Sequence, residues 1–226
     1  AYAVLASTLT SAGAPPYNLT FPASTASSLS VAWSASVPAG ESYRLEVDDN
    51  SDFSSVTGSS VTALLSATVT GLTVNTSYYA RVRATILAVD GDWSVTAASG
   101  TPANIPTTGS WSGVGARTLT INWAANGNPA GTHYRVELSS VAGFANTVLN
   151  VQTDTLSAAF SGLVPNTLYH GRVKAIAHNG ASTAYEVLSD TMTSQIAAPF
   201  NLAYSGSDAT SISATWSNSV PTGDNY

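Results

Sequence analysis

Few side chains in this sequence can move protons, attack electrophiles or hold metal ions, and their spacing decides how each is read. His133, His170 and His178 are the three histidines. None stands at a metal-ligand spacing from another or from a carboxylate, so the sequence points to no metal centre. His170 is expected on an outward strand position and His178 in a turn. Asp48, Asn50 and Asp52 repeat an oxygen at alternate positions, as the start of a calcium loop does. Such a loop also needs Gly at its sixth position and Glu at its twelfth, and Phe53 occupies the sixth. A turn closed by Asx hydrogen bonds is the expectation there. Asp90 and Asp92 flank Gly91, where two acids in a turn face water rather than share a proton. Cysteine is absent, which removes thiolate chemistry and disulfides together. No nucleophile, base and orienting group assemble, so no catalytic residue, no cofactor and no enzyme activity are expected.

Two further sets of residues point to binding rather than catalysis. Asn18-Leu19-Thr20 and Asn75-Thr76-Ser77 are N-glycosylation sequons. Tyr2, Trp93 and Tyr185 recur at the start of one strand, and Phe21, Trp111 and Tyr204 recur on another. Exposed rings stack on sugars or dock neighbouring chains, but recurrence in every copy fits packing better.

The composition narrows the partners. Of 226 residues, 9% are charged and 44% hydrophobic, and the net charge is −6. Ser and Thr fill about a quarter of the chain, giving a hydroxyl-rich surface. The seven basic residues are scattered, whereas phosphate binding needs them clustered, so no nucleic acid partner is expected. No apolar run approaches the roughly 18 residues of a membrane-spanning helix, so no membrane insertion is expected in this segment.

The elements that position these residues are set by internal repeats. GLTVNTSYYARVRA at 71–84 matches GLVPNTLYHGRVKA at 162–175, LSVAW ending at Trp33 matches LTINW ending at Trp123, and YRLEV from Tyr43 matches YRVEL from Tyr134. These offsets of 90 or 91 residues are one domain length. A second offset, 183 residues, aligns 1–43 with 184–226 at 22 of 43 identical positions and pairs Trp33 with Trp216. Neighbouring domains therefore differ while next-nearest ones resemble each other, an alternating A-B-A-B array. The expected organisation is 1–15 as the last strand of a B-type domain, 16–105 as an A-type domain, 106–197 as a B-type domain, and 198–226 as the start of another A-type domain. On this reading the sequence is a segment of a longer protein.

Alternating apolar and polar residues between turn clusters predict strands at 17–22, 28–34, 42–48, 53–57, 66–70, 76–87 and 93–99. Leu29, Val31 and Trp33 share one face, as do Tyr43, Leu45 and Val47, with Arg44 and Glu46 on the opposite one. Tyr78, Ala80, Val82 and Ala84 face inward, with Arg81 and Arg83 outward. The connectors at 12–16 and 100–106 contain Pro and are expected to be semi-rigid.

A Trp on the second strand, a Tyr opening the third, and Leu-x-Pro-x-Thr-x-Tyr-x-x-Arg-Val-x-Ala into the sixth resemble the fibronectin type III family. Trp33, Tyr43, Leu72, Thr76, Tyr78, Arg81, Val82 and Ala84 fit that pattern, as do Trp123, Tyr134, Leu163, Pro165, Thr167, Tyr169, Arg172, Val173 and Ala175. Val74 departs from it where the family has Pro. The resemblance implies an all-β chain of tandem, immunoglobulin-like β-sandwiches with seven strands each. Its structural core is expected at Trp33, Tyr43, Leu72, Tyr78, Val82, Trp123, Tyr134, Leu163, Tyr169, Val173 and Trp216. It further implies a non-catalytic structural repeat of an extracellular or cell-surface protein, in a bacterial setting. Such a repeat would form a rod or filament whose partners are neighbouring repeats and other copies of the chain. Two alternatives stay open: an adhesin stalk binding a surface receptor or glycan, and a spacer of a secreted glycan-degrading enzyme.

Overall fold

Strand formation follows from alternation. In SLSVAW every second side chain is apolar, and an extended backbone throws those residues to one face. The computed structural model describes residues 13–145 and 148–217, and forms two β-sandwiches followed by a two-stranded sheet. The chain divides into two compact units, the first running through Asn104 and including 127–132 and 176–182, the second holding the remainder.

The first sandwich begins with β1 (Tyr17–Thr25), β2 (Ser28–Ser34) and β5 (Ser66–Thr70), which form a three-stranded antiparallel sheet in the order β1-β2-β5. The facing sheet contains β3 (Ser42–Asp48), β4 (Gly58–Thr62), β6 (Ser77–Ile86) and β7 (Val89–Asp90) in the order β4-β3-β6-β7, with β8 (Ala97–Gly100) also on β6. The core between the sheets holds Leu29, Val31, Trp33, Tyr43, Leu45, Val47, Leu72, Tyr78 and Val82, each at most 5% exposed. Trp33 and Tyr43 meet in a tilted pair with ring centroids 5.8 Å apart. Such a pair adds to the area term because the positive edge of one ring meets the negative face of the other.

The second sandwich repeats the plan. Its β9 (Thr107–Ser112), β10 (Thr118–Ala124) and β13 (Ser157–Ser161) form one sheet in the order β13-β10-β9. The other is built from β11 (His133–Ser139), β12 (Val148–Thr153), β14 (Leu168–Ile176) and β15 (Glu186–Val187), ordered β12-β11-β14-β15, with β16 (Thr191–Met192) on β14. Trp123, Tyr134, Leu163, Tyr169 and Val173 are buried in it. Gly171 occupies the β14 position that holds Ala80 on β6, and an added methyl there would lie 2.6 Å from the Trp111 ring. The missing side chain is what lets that indole close over β14, and its Nε1 donates to the Ser189 carbonyl at 2.6 Å.

Each sandwich carries a tyrosine corner, a phenol turned back onto upstream backbone. The Tyr78 hydroxyl accepts from the Thr73 N–H at 2.8 Å, and Tyr169 accepts from the Val164 N–H at 3.1 Å.

Residues 200–217 form an antiparallel pair, β17 (Phe200–Ser207) and β18 (Ile212–Ser217). In their turn the Asp208 carboxylate accepts from the N–H and hydroxyl groups of Thr210 and Ser211, which lower its pKa to about 2. Trp216, expected in the core of a further A-type domain, is 46% exposed on β18, whose sheet holds β17 and β18 among the described residues.

Two strand expectations are corrected. The fourth strand is 58–62 rather than 53–57, because Asp49–Phe53 coils into a turn in which Phe53 takes φ 55°. The last strand is broken into 89–90 and 97–100. Between them the Ser94 hydroxyl accepts from the Val82 N–H at 3.0 Å, taking a place that a strand carbonyl would otherwise fill. Of the expected strand at 1–15, residues 1–12 and with them Tyr2 lie outside the described residues, as do residues 218–226 of the expected further A-type domain.

Candidate functional site

The most elaborated constellation in both sandwiches sits on the outer face of the larger sheet, and it centres on a carboxylate. Alternation along β3 puts Arg44 and Glu46 on the face opposite Tyr43, Leu45 and Val47, and on that face Glu46 is only 5% exposed. Arg44 Nε donates to its Oε1 at 2.9 Å, and Arg81 from β6 reaches Oε2 through Nε at 3.1 Å and Nη2 at 2.7 Å. Cross-strand pairing of Glu46 with Arg81 brings the two together. The Arg81 guanidinium lies 4.1 Å from the centroid of Phe53 and 4.2 Å from that of Trp93. Arg83 adds a second cation 4.7 Å from the Trp93 ring and pairs with Asp90.

The second sandwich rebuilds this arrangement from the equivalent residues. Glu137, 4% exposed, accepts from Arg135 Nε at 2.8 Å and from Arg172 Nε at 2.8 Å. Arg172 lies 4.0 Å from the centroids of both Phe144 and Tyr185, and Lys174 Nζ lies 5.0 Å from Tyr185. Burial pushes the Glu137 carboxyl up, but hydrogen bonds from Arg172 and Tyr185 and the arginine charges outweigh it, leaving the pKa below the ordinary 4.5. Burial and the bond to Glu137 raise the Tyr185 phenol.

A carboxyl with a depressed folded-state pKa stabilises the fold above its unfolded pKa and loses that contribution as pH falls through the folded value. Stability of the second sandwich should therefore drop on acidification between about pH 5 and pH 2. In Glu137→Gln the slope of stability against pH over that window should be shallower, as read from urea melts across it.

This cluster is built to clamp a sheet. Each carboxylate oxygen is taken by guanidinium, and a cation lies against each ring, leaving Trp93, Phe144 and Tyr185 half-buried. Trp93 and Tyr185, weighed as sugar-stacking rings, serve in this clamp. Of the other recurring rings, Phe21 packs against the first core, and Tyr204 is 81% exposed on β17.

The remaining chemistry-bearing residues are dispersed. His170 Nδ1 lies 2.6 Å from Asp190 Oδ1, His133 is exposed, and His178 uses its backbone N–H. Among the described residues no three His, Asp or Glu side chains gather as a metal site. Asp48 is fully buried and accepts from the Thr57 hydroxyl at 3.2 Å, while Asp52 caps the Ser54 N–H at 3.0 Å. That bond from Ser54 lowers the Asp52 pKa. Asp90, expected to face water alone, takes the ion pair from Arg83 and a bond from the Thr85 hydroxyl at 2.8 Å.

The two sequons differ in access. Asn75 is wholly buried: its Nδ2 donates to Thr132 Oγ1 and its Oδ1 accepts from the His178 N–H, each at 2.9 Å. Asn18 is exposed with φ 53°, a left-handed conformation shared at the same place on the first strand by Thr108 and Asn201. Asn tolerates that conformation well, so backbone geometry alone accounts for its presence.

The buried Glu between two Arg is the feature that strand alternation missed. The recurrence of YRLEV with RVR, and of YRVEL with RVK, was its signal in the sequence.

A family model described as Fibronectin type III domain matches residues 14–99 and 104–191. Among solved structures, a two-fibronectin type III domain segment from chicken tenascin is 19% identical, with a TM-score of 0.56, covering 79% of this chain and 99% of that one. Chicken CNTN1 FN1-FN3 domains are 18% identical, with a TM-score of 0.36, covering 81% of this chain and 69% of that one. No curated protein matches in sequence.

Proposed function

Because the chain belongs to the fibronectin type III domain family, we propose that it is a non-catalytic structural repeat region forming a rod or filament at or outside a cell surface. Members of this family are typically non-catalytic modules of structural or adhesion-type repeat regions, and they commonly occur in extracellular and cell-surface proteins. No helix among the described residues is long and apolar enough to cross a membrane.

The observation that carries the reading is the repeated clamp. The same Glu–Arg–aromatic set is built twice, and in both copies it is consumed internally. A binding platform would leave its rings open and vary from copy to copy. Repeating modules extend a chain because each one contacts mainly its neighbours. The hydroxyl-rich, weakly charged surface lowers the repulsion between chains lying side by side, which supports lateral packing with other copies.

Small-angle scattering on proteins of one, two and three 183-residue repeats tests the rod. The radius of gyration should rise nearly in proportion to repeat number. Growth as roughly the 0.38 power of length, the scaling of compact proteins, would refute it.

A further inference from the structure

The two sandwiches differ most at their poles, and the difference follows the 183-residue repeat. At the trailing pole of the second sandwich, Val164, Leu168 and Met192 are 61%, 43% and 51% exposed. They form one patch. Leu168 and Met192 are register partners, and the Val164 carbonyl accepts from Thr193 Oγ1 at 2.7 Å on the residue beside Met192. In the first sandwich the same three places hold Thr73, Ser77 and Gly100, fixed there by the Ser77–Gly100 register and the Thr101 Oγ1 bond to the Thr73 carbonyl. The apolar patch thus belongs to the B-type domain. In sequence Leu9 stands 183 residues before Met192, so the apolar character recurs one repeat earlier.

The leading pole of the first sandwich is apolar in its turn. Val37, Leu87 and Val89 are 64%, 80% and 68% exposed. The loops that carry them are tied together by the Glu41 N–H to the Thr85 carbonyl and the Gly91 N–H to the Ala84 carbonyl. Leu87 and Ala88 both take positive φ, 50° and 62°. Gly and Asn suit such turn positions, whereas a Leu there costs backbone strain, and Leu87 stays largely exposed. At the corresponding loops the second sandwich carries Asn126, Gly127, Asn128, His178, Asn179 and Gly180.

We propose that the Val164–Leu168–Met192 patch docks the Val37–Leu87–Val89 pole of the next A-type domain, so that successive 183-residue repeats join through a buried apolar junction. The occupant is specified by the repeat: the residues from 198 onward restart the A-type sequence, and Val220 stands where Val37 does. The proposal rests on the reading of the chain as a tandem array, and it adds the joint that would stiffen the array.

The test is amide hydrogen exchange on a protein in which residues 16–198 are joined head to tail to a second copy of 16–198, compared with a single copy of 16–198. Exchange in 163–168 and 191–193 of the first copy should slow by at least about tenfold when the second copy follows. Val164→Thr with Leu168→Ser, the residues that the first sandwich carries there, should abolish the gain. Val61→Ser, at an exposed apolar position on β4, should leave it intact. Equal exchange in one and two repeats overturns the junction, as does a gain that survives the double variant. A radius of gyration that still rises nearly in proportion to repeat number would then leave the rod standing without this apolar junction.

Discussion

Trp123→Ala is expected to unfold the second sandwich at temperatures where the first stays folded. The indole is 5% exposed and sits 5.4 Å from the Tyr134 ring, so its removal empties the middle of the inter-sheet space. Truncating such a residue costs about 3–5 kcal/mol through lost transfer energy and the cavity left behind. Whole domains have only about 5–15 kcal/mol of stability to lose. Trp123 Nε1 has no hydrogen-bond partner among the described residues, so removing the ring breaks no buried polar bond at that atom. The expected loss is one of packing. Calorimetry should resolve two transitions, with the lower assigned to the second sandwich by amide exchange. A single transition at the unaltered temperature would refute the prediction.

The second large effect concerns the clamp. Glu46→Ala should destabilise the first sandwich far more than a surface substitution does, because the carboxylate is nearly buried and answers two guanidinium groups. Breaking a buried ion pair from one side costs roughly 3–5 kcal/mol. Arg44 and Arg81 keep 44% and 23% of their side-chain surface in water, which puts the expected loss at the low end of that range. Glu46→Gln retains hydrogen-bonding capacity without the charge and should fall between wild type and Ala. The Trp93 fluorescence spectrum offers a second readout, since losing the Glu46 anchor releases Arg81 from the ring. Urea melts showing Ala within about 0.5 kcal/mol of wild type would mean that the cluster is ordinary surface.

The residues that made the sandwiches readable lie where one face is buried and the other wet. In 28–34 the apolar positions are two apart, and the structure leaves Leu29, Val31 and Trp33 at 0%, 0% and 5% exposed. The misreadings fall where backbone rather than hydrophobicity decides. Phe53 resembles a strand residue by type, yet it turns through positive φ to lay its ring on Arg81. The stretch 93–99 has apolar and hydroxyl residues in strand order, yet Ser94 hydrogen-bonds to β6 through its side chain and breaks the ladder. Alternation sets Glu46 on the face opposite Leu45 and Val47, yet the residue is 5% exposed there. Period two says which face a residue occupies but not what covers that face, and the cover comes from Arg44, from Arg81 on β6, and from the Phe53 and Trp93 rings against Arg81. Poles were the least legible of all, because loop residues carry no periodicity and their exposed apolar character becomes visible only in the folded sandwich.

Electron microscopy of the native protein purified from its source tests the repeating rod most directly. Thin rods or fibres with an axial periodicity of two domains, one A-type and one B-type, are expected. Compact particles without that periodicity would contradict it.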